Sequence, residues 1–348
     1  MTERQIHPFL RFLGRALIVL LCTVLLLVAF LYGVMYLLCR GPSPTAREQF
    51  VLSTGETSAI GFLPRLFLSA EEIAAIVDRP APELLEQTDP TLVTVRETPE
   101  TLTEPDEWGY VDEDGDGLIL VPVTGESFVG HMLIVLDPAR VIMGCVPESF
   151  FQTGYMLDEL VTHFDAVAGI NGGGFDDPNG MGNGSTPEHV IVFEGQTYLS
   201  GFGMGLDFSG FDKKHILHVN IKSLEEIEQL GIQYGVSYGP VLIVNGQAVD
   251  TPALLSGLNP RTAIGQRADG AVLMLVIEGR HSNSLGATYT DEADVMLKFG
   301  AVNATNLDGG SSSVMWYKDG YVGNAAPIVG MRHIPTSYLV LKEEAVNK

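Results

Sequence analysis

The sequence predicts an α+β fold: a strand-dominated, mixed-sheet domain with a few helices, preceded by one transmembrane helix. Three observations predict it. The stretch Ala16–Leu38 carries no charged residue. From about residue 108 onward, short β-rich runs alternate with Gly-rich turns. Only three segments in that region have helical spacing.

The apolar stretch comes first. It spans 23 residues, and at about 1.5 Å per residue it reaches roughly 35 Å, enough to cross a hydrocarbon core of about 30 Å with some tilt. Arg4, Arg11 and Arg15 precede it, and Arg40 and Arg47 follow it. That bias places the N-terminal side in the cytoplasm. A cleaved signal peptide fits less well, because the run exceeds the usual length and no small-x-small site follows. A lipoprotein site at Cys39 would have Leu38 where a small residue belongs. The expected organisation is a cytoplasmic N-terminus at 1–15 and a signal-anchor helix at 16–38. A stalk with a short helix and an acidic linker follows at 39–107, and an extracytoplasmic domain occupies 108–348.

Beyond residue 40, 16 Lys and Arg face 42 Asp and Glu, a net charge of −26. Such a surface repels nucleic acid and anionic headgroups. Cys145 stands alone beyond the anchor, so no disulfide forms within the domain and its fold relies on its core.

In the stalk, Ser69-Ala-Glu-Glu72 reads as a capping box, with Ile73, Ile76 and Val77 continuing a short amphipathic helix. Residues 80–107, rich in Pro, Thr and Glu with Arg96 the single base, read as a solvated linker. Strands are expected at Leu118–Val123, His131–Leu136, Ala166–Ile170, His189–Phe193, Ile216–Val219, Val241–Val244, Ala271–Ile277, Ala304–Leu307, Ser313–Tyr317 and Ser337–Leu341. Helices are expected at Tyr155–Phe164, Ser223–Leu230 and Thr290–Phe299. The run Asp112-Glu-Asp-Gly-Asp-Gly117 copies half of a calcium loop, but its twelfth position is Val123, so a turn before a strand is expected instead of a metal site.

Three Gly-rich segments carry the chemistry. Ile170-Asn-Gly-Gly-Gly-Phe175 ends a strand in glycines that admit a ligand to the backbone. Asn259-Pro-Arg-Thr-Ala-Ile-Gly265, with Glu278-Gly-Arg280 beyond it, sets two arginines at the ends of neighbouring strands, where planar donors suit an anionic group. In Asn306-Leu-Asp-Gly-Gly-Ser-Ser-Ser313, Asp308 follows a buried strand and faces a cleft. The serines lack the Gly-x-Ser-x-Gly elbow of a serine hydrolase.

In this order the segments resemble the phosphodiester glycosidase family, bacterial relatives of the enzyme that uncovers mannose 6-phosphate. The resemblance runs from about Gly125 to Leu341. It also takes in Gly239-Pro-Val-Leu-Ile-Val-Asn-Gly246, Gly286-Ala-Thr with Glu292 beyond it, Val322-Gly-Asn324 and Met331-Arg332. Two positions depart from the family pattern, Met331 and Gly323, both at the outer rim of the site. The resemblance implies cleavage of a sugar from a sugar-1-phosphodiester.

A phosphate monoester leaves as a weak base, so charge stabilisation matters more than protonation. Arg261, Arg280 and Arg332 are the candidates for that role, with backbone N–H groups at Gly172, Gly173, Gly309 and Gly310 and with Ser311 beside them. Asp308 is the first choice for the carboxylate that stabilises the sugar cation or activates water, and Glu292 the second. Asn171 and Asn324 would position sugar hydroxyls. His281 and His333 are left out of the catalytic set. The partners expected are a glycan or sugar-phosphodiester substrate and the membrane, with no nucleic acid. No cofactor and no metal is expected. A non-catalytic glycan-binding or exopolysaccharide-assembly factor using the same cleft is the alternative. A metal-dependent phosphodiesterase built on Asp176, Asp177 and Asp308 is more distant, since no His-rich ligand set accompanies them.

Overall fold

The computed structural model describes residues 3–55, 60–78, 86–95, 104–177, 182–199, 207–249, 256–324 and 330–343. The chain divides into two compact units, Met1–Gly55 with Ile60–Asp78, and Glu56–Ala59 with Arg79–Lys348.

The first unit is helical. Helix α1 (Glu3–Arg40) contains, among the described residues, the one stretch long and apolar enough to cross a membrane, Leu10–Arg40, with a mean hydropathy of 2.9. Helices α2 (Pro44–Gly55) and α3 (Ala70–Val77) follow. The capping box at α3 forms as its sequence dictates: Ser69 Oγ accepts from the Glu72 N–H, and Glu72 Oε2 accepts from the Ser69 N–H. Helix α2 escapes sequence reading because Pro-Thr-Ala-Arg-Glu-Gln-Phe-Val-Leu-Ser-Thr-Gly has no continuous apolar stripe.

The second unit is built on strands. In chain order they are β1 (Leu118–Thr124), β2 (Val129–Val135), β3 (Val141–Cys145), β4 (Ala166–Asn171), β5 (Val190–Phe193) and β6 (Gln196–Leu199). Then come β7 (Phe208–Asp212), β8 (Leu217–Ile221), β9 (Ile232–Ser237), β10 (Val241–Val244), β11 (Gln247–Ala248) and β12 (Arg261–Arg267). The last are β13 (Val272–Ile277), β14 (Ala301–Leu307), β15 (Met315–Tyr317), β16 (Gly320–Val322) and β17 (Thr336–Leu341). Three helices join them: α4 (Leu157–His163), α5 (Leu224–Leu230) and α6 (Tyr289–Lys298).

The strands form three sheets, in the orders β1-β2-β13-β12-β14-β10-β11, β16-β15-β4-β17-β3 and β6-β5-β9-β7-β8. The strand-dominated α+β class is as expected. The registered pairings are antiparallel, where mixed sheets were expected. Side chains alternate across the first sheet: Leu133 and Val135 enter the core shared by all three sheets, while Met132 and Ile134 pack on the other face with Ala293, Met296 and Phe299 of and beyond α6.

Each expected strand and helix has its counterpart, displaced by a few residues at the ends. Strand β12 is wholly buried although it carries Arg261, Gln266 and Arg267. Those groups are satisfied internally. Gln266 accepts from the Leu217 N–H at 2.7 Å. Arg267 pairs with Asp106 at 2.8 Å and lies 3.8 Å from the centroid of the Trp108 ring.

Arg96 and residues 80–85 and 97–103 of the expected linker lie outside the described residues. The described part of that stretch bonds to the sheets: Asn220 Nδ2 donates to the Glu86 carbonyl, the Val219 N–H to Thr88 Oγ1, and the Thr94 N–H to the Ala268 carbonyl. The acidic run at 112–117 forms a turn. Asp112 accepts from the Gly115 and Gly117 N–H groups, and the Lys318 ammonium lies 2.6 Å from Asp114 and 2.8 Å from Asp116.

Candidate active site

The three Gly-rich segments meet at one edge of the sheets. The antiparallel pairing of β12 with β13 and β14 brings the start of β12 beside the ends of its two neighbours, and the last residue of β4, Asn171, bonds to both β12 and the turn after β14. Asn171, fully buried at the end of β4, joins the segments. Its Nδ2 donates to the Asp308 carbonyl at 2.6 Å, and its Oδ1 accepts from Thr262 Oγ1 at 2.9 Å and from the Val314 N–H at 3.2 Å. Its amide is thus committed to tying loops together, in place of the contact with sugar hydroxyls that was expected.

The backbone donors expected to face a phosphate are also engaged. The Gly172 N–H donates to the Thr336 carbonyl at 2.9 Å and the Gly173 N–H to Thr336 Oγ1 at 3.0 Å. A Cβ on Gly172 would lie 2.5 Å from Thr336 Oγ1, so only glycine fits there. The Gly310 N–H donates to the Pro260 carbonyl at 2.9 Å. Gly310 has φ +63, which glycine adopts freely. A Gly309 backbone hydrogen bond is made to the Asp308 carboxylate itself. Ser311 is half-buried on the same turn, Gly310–Ser312.

Asp308 is half-buried at the centre of this junction. Burial is the main influence on its carboxyl and pushes it up to about 6. Ser312, Tyr238 and the Gly309 N–H pull the other way, and repulsion from Glu188 adds to the rise. Tyr238 donates to Asp308 Oδ1 at 3.1 Å. Glu188 was not singled out from the sequence. Its Oε2 and the Tyr238 ring edge converge over Gly174, lying 2.7 and 2.6 Å from where a Cβ would stand there. The Glu188 carboxyl is raised by burial and by Asp176 and Asp177, against the pull of His189. Two carboxyls, both held above the ordinary range, thus lie about Tyr238, Asp308 at its hydroxyl and Glu188 near its ring edge.

The arginines divide. Arg261 is buried, with Nε donating to the Ala287 carbonyl at 3.1 Å and Nη2 to the Gly257 carbonyl at 2.8 Å, and its guanidinium sits 4.0 Å over the Tyr289 ring. Its Nη1 lies 4.0 Å from the position of a Gly309 Cβ. Arg280 is half-buried, in the left-handed region at φ +62. That strained backbone aims its guanidinium at the same turn, with Nη2 3.2 Å from the position of a Gly310 Cβ. Asn259 Oδ1 accepts from Arg280 Nη2 at 3.0 Å. Arg332 makes a two-pronged pair with Asp177 at 2.8 and 3.1 Å and donates to the Gly182 carbonyl. Burial would raise the Asp177 carboxyl, but Arg332 and the Gly182 N–H outweigh it and hold it low.

Glu292 is fully buried on α6. Asn324 donates to Glu278 Oε2 at 3.4 Å. Glu278, also unremarked in the sequence as a separate candidate, takes His281 Nε2 at 3.0 Å and lines a cleft with His131, Pro260, Ser313 and Tyr321. Asp308, Arg261, Arg280, Gly309, Gly310 and Ser311 are thus brought to one turn. Asn171, Gly172 and Gly173 support it, and Arg332 and Asn324 make their contacts with other carboxylates.

A desolvated aspartate and two guanidiniums are thus directed at one turn. The chain belongs to the phosphodiester glycosidase family, whose model matches residues 164–341. The SPbeta prophage-derived protein YomE of Bacillus subtilis (strain 168) is 40% identical over 74 residues, 21% of this chain. The match spans 12% of that relative's length. The fold is that of the zebrafish N-acetylglucosamine-1-phosphodiester alpha-N-acetylglucosaminidase catalytic domain, auto-inhibited by its pro-peptide. The TM-score is 0.57 at 17% identity, over 74% of this chain and 88% of that one.

Proposed function

We propose that this protein is a membrane-anchored, extracytoplasmic glycosidase. It hydrolyses a sugar-1-phosphodiester bond, of the N-acetylglucosamine-1-phosphate type, in cell-envelope or exopolysaccharide glycan. The observation that carries the reading is the position of Asp308 on a turn flanked by Arg261 and Arg280. The carboxyl at about 6 is mostly ionised at neutral pH, yet close enough to it to accept a proton. Asp308 takes a proton from water as the water oxygen attacks the sugar C1. The C1–O bond breaks, and its electron pair leaves on the phosphate monoester. The guanidinium charge beside the turn offsets the negative charge of that leaving group, so no strong acid is needed. Family membership supports this reaction class, and the apolar helix α1 with arginines on its N-terminal side supports the anchored topology.

The test uses the full chain in detergent with a synthetic N-acetylglucosamine-1-phosphodiester. Wild type is expected to release the sugar, and Asp308→Asn is expected to release none while keeping its fold. Turnover in that variant at the wild-type rate rejects the assignment. Binding by wild type with no release favours the glycan-binding or assembly-factor reading.

A further inference from the structure

The first unit leaves apolar side chains outside its own core. That core is small: Cys39, Val51 and Leu68 are buried, with Phe50, Phe67, Ile73 and Ile76 packed against them. Ile60, Phe62 and Leu66 stand outside it, exposed by 41%, 56% and 57%. All three belong to one short segment, about the single turn Leu63–Leu66. Phe67 follows directly. Its ring lies 4.9 Å from that of Tyr32 and 6.4 Å from that of Tyr36, both on α1.

Polar contacts fix this arrangement. Arg40 donates through Nε to the Phe67 carbonyl at 2.9 Å, and its two terminal nitrogens bind both oxygens of Glu72 at 2.5 and 3.0 Å. Arg47 donates to the Cys39 carbonyl at 2.7 Å. The chain beyond α1 therefore folds back along the helix. Tyr32 precedes Arg40 by about 12 Å along the axis. The uncharged stretch ends at Leu38, so Tyr32 and Tyr36 lie inside its outer end. Phe67, in contact with both, lies at the same level, and Phe62 and Leu66 flank it on the same turn.

We propose that residues 60–67 form a lipid-embedded collar around the outer end of α1, with Ile60, Phe62 and Leu66 entering the boundary between headgroups and acyl chains. The proposal rests on reading α1 as a membrane anchor. The partner is the bilayer, recognised by apolar contact and by the ring of Tyr32, Tyr36 and Phe67 at interfacial depth. The surface is continuous with the lipid-facing side of α1, whose side chains from Leu10 to Val34 are exposed. At that level Arg40 is neutralised by Glu72, and Arg65, exposed on the collar's own turn, has a side chain long enough to carry its charge out to the headgroups.

The test places the full chain in lipid nanodiscs. In a Cys22→Ser background the remaining thiols, Cys39 and Cys145, are buried. Single cysteines replace Phe62, Leu66, Glu71 or Leu25 and carry an environment-sensitive fluorophore. Nitroxide lipids quench either near the glycerol end of the acyl chain or near its middle. Labels at 62 and 66 are expected to be quenched by the shallow nitroxide about threefold more strongly than the label at 71, and the label at 25 by the deep one. Quenching at 62 and 66 no greater than at 71, with 25 still quenched, overturns the collar and leaves the anchor standing. No quenching at 25 overturns both. Labels at 62 and 66 that respond to a second chain in the disc, and not to either nitroxide, show that another copy covers this face and also overturn the proposal.

Discussion

Tyr238 holds its hydroxyl 3.1 Å from Asp308 Oδ1, and burial raises the pKa of both groups. The phenol therefore remains protonated and acts only as a donor. A donor to a carboxylate stabilises the charged form, so Tyr238 restrains a rise that burial drives. Removing the hydroxyl with Tyr238→Phe is expected to raise the Asp308 carboxyl further. The acidic limb of the kcat/KM profile, expected near 6 in wild type, is then expected to move up by about one pH unit, since a charge-assisted bond of about 1.5 kcal/mol corresponds to roughly one unit. Initial rates across the pH range measure it, and an unmoved limb counts against Asp308 as the titrating group.

Holding Asp308 ionised costs stability. Its folded carboxyl stands at about 6 against an ordinary 3.8, so the folded state binds the extra proton between those values. Stability therefore falls as pH rises through that window and stays low above it. The variant Asp308→Asn removes the cost. It is expected to be more stable than wild type at pH 7 by up to about 3 kcal/mol, with most of the gain gone at about pH 4. Thermal melts at both pH values decide it.

The two central arginines are expected to fail differently. Arg261 is buried and bonded to the Ala287 and Gly257 carbonyls. Arg261→Gln leaves buried acceptors unmet and is expected to lose about 3 kcal/mol of stability. Arg280 is half-buried, and Arg280→Gln is expected to shift stability by less than about 0.5 kcal/mol. Its kcat/KM is expected to fall about 100-fold, as for a lost anion-stabilising donor. Denaturant melts beside steady-state kinetics separate the two outcomes.

The pair Arg332–Asp177 should show the opposite pH dependence to Asp308. The folded Asp177 carboxyl is held below its unfolded value. Its contribution is present above that unfolded value and is lost as pH falls through the folded one. Arg332→Gln is expected to cost about 1 kcal/mol at pH 7, where the pair is part-buried and two-pronged, and little at about pH 3. Melts of both proteins at the two pH values test this.

The convergence of the Gly-rich segments was legible in part: those at Asn171 and Asp308 follow apolar runs and sit where strands end, whereas Asn259–Gly265 opens β12 and meets them because β12 runs antiparallel to its neighbours. The chemistry around Asp308 was less so. Glu188 lies in Thr186-Pro-Glu188, which matches no motif, and Tyr238 precedes Gly239 with nothing local to mark it. Both reach Asp308 through long-range pairing, β9 and β5 lying side by side in the third sheet. Strand β12 was hidden for a different reason. Its Arg and Gln side chains look solvent-facing until the partners that satisfy them, Asp106 and Leu217 among others, are brought in from distant parts of the chain.

Strand β17 lies between β4 and β3, and its first residue, Thr336, holds the Gly172 and Gly173 N–H groups. Every candidate residue, from Asn171 to Arg332, precedes it in the chain. A nascent chain emerging N-terminus first thus displays the full set of candidate side chains before it owns the strand that closes the glycine loop behind them. The glycine loop is closed only once β17 has emerged, and a chain interrupted before Thr336 carries every candidate side chain without the strand that sets the loop behind them.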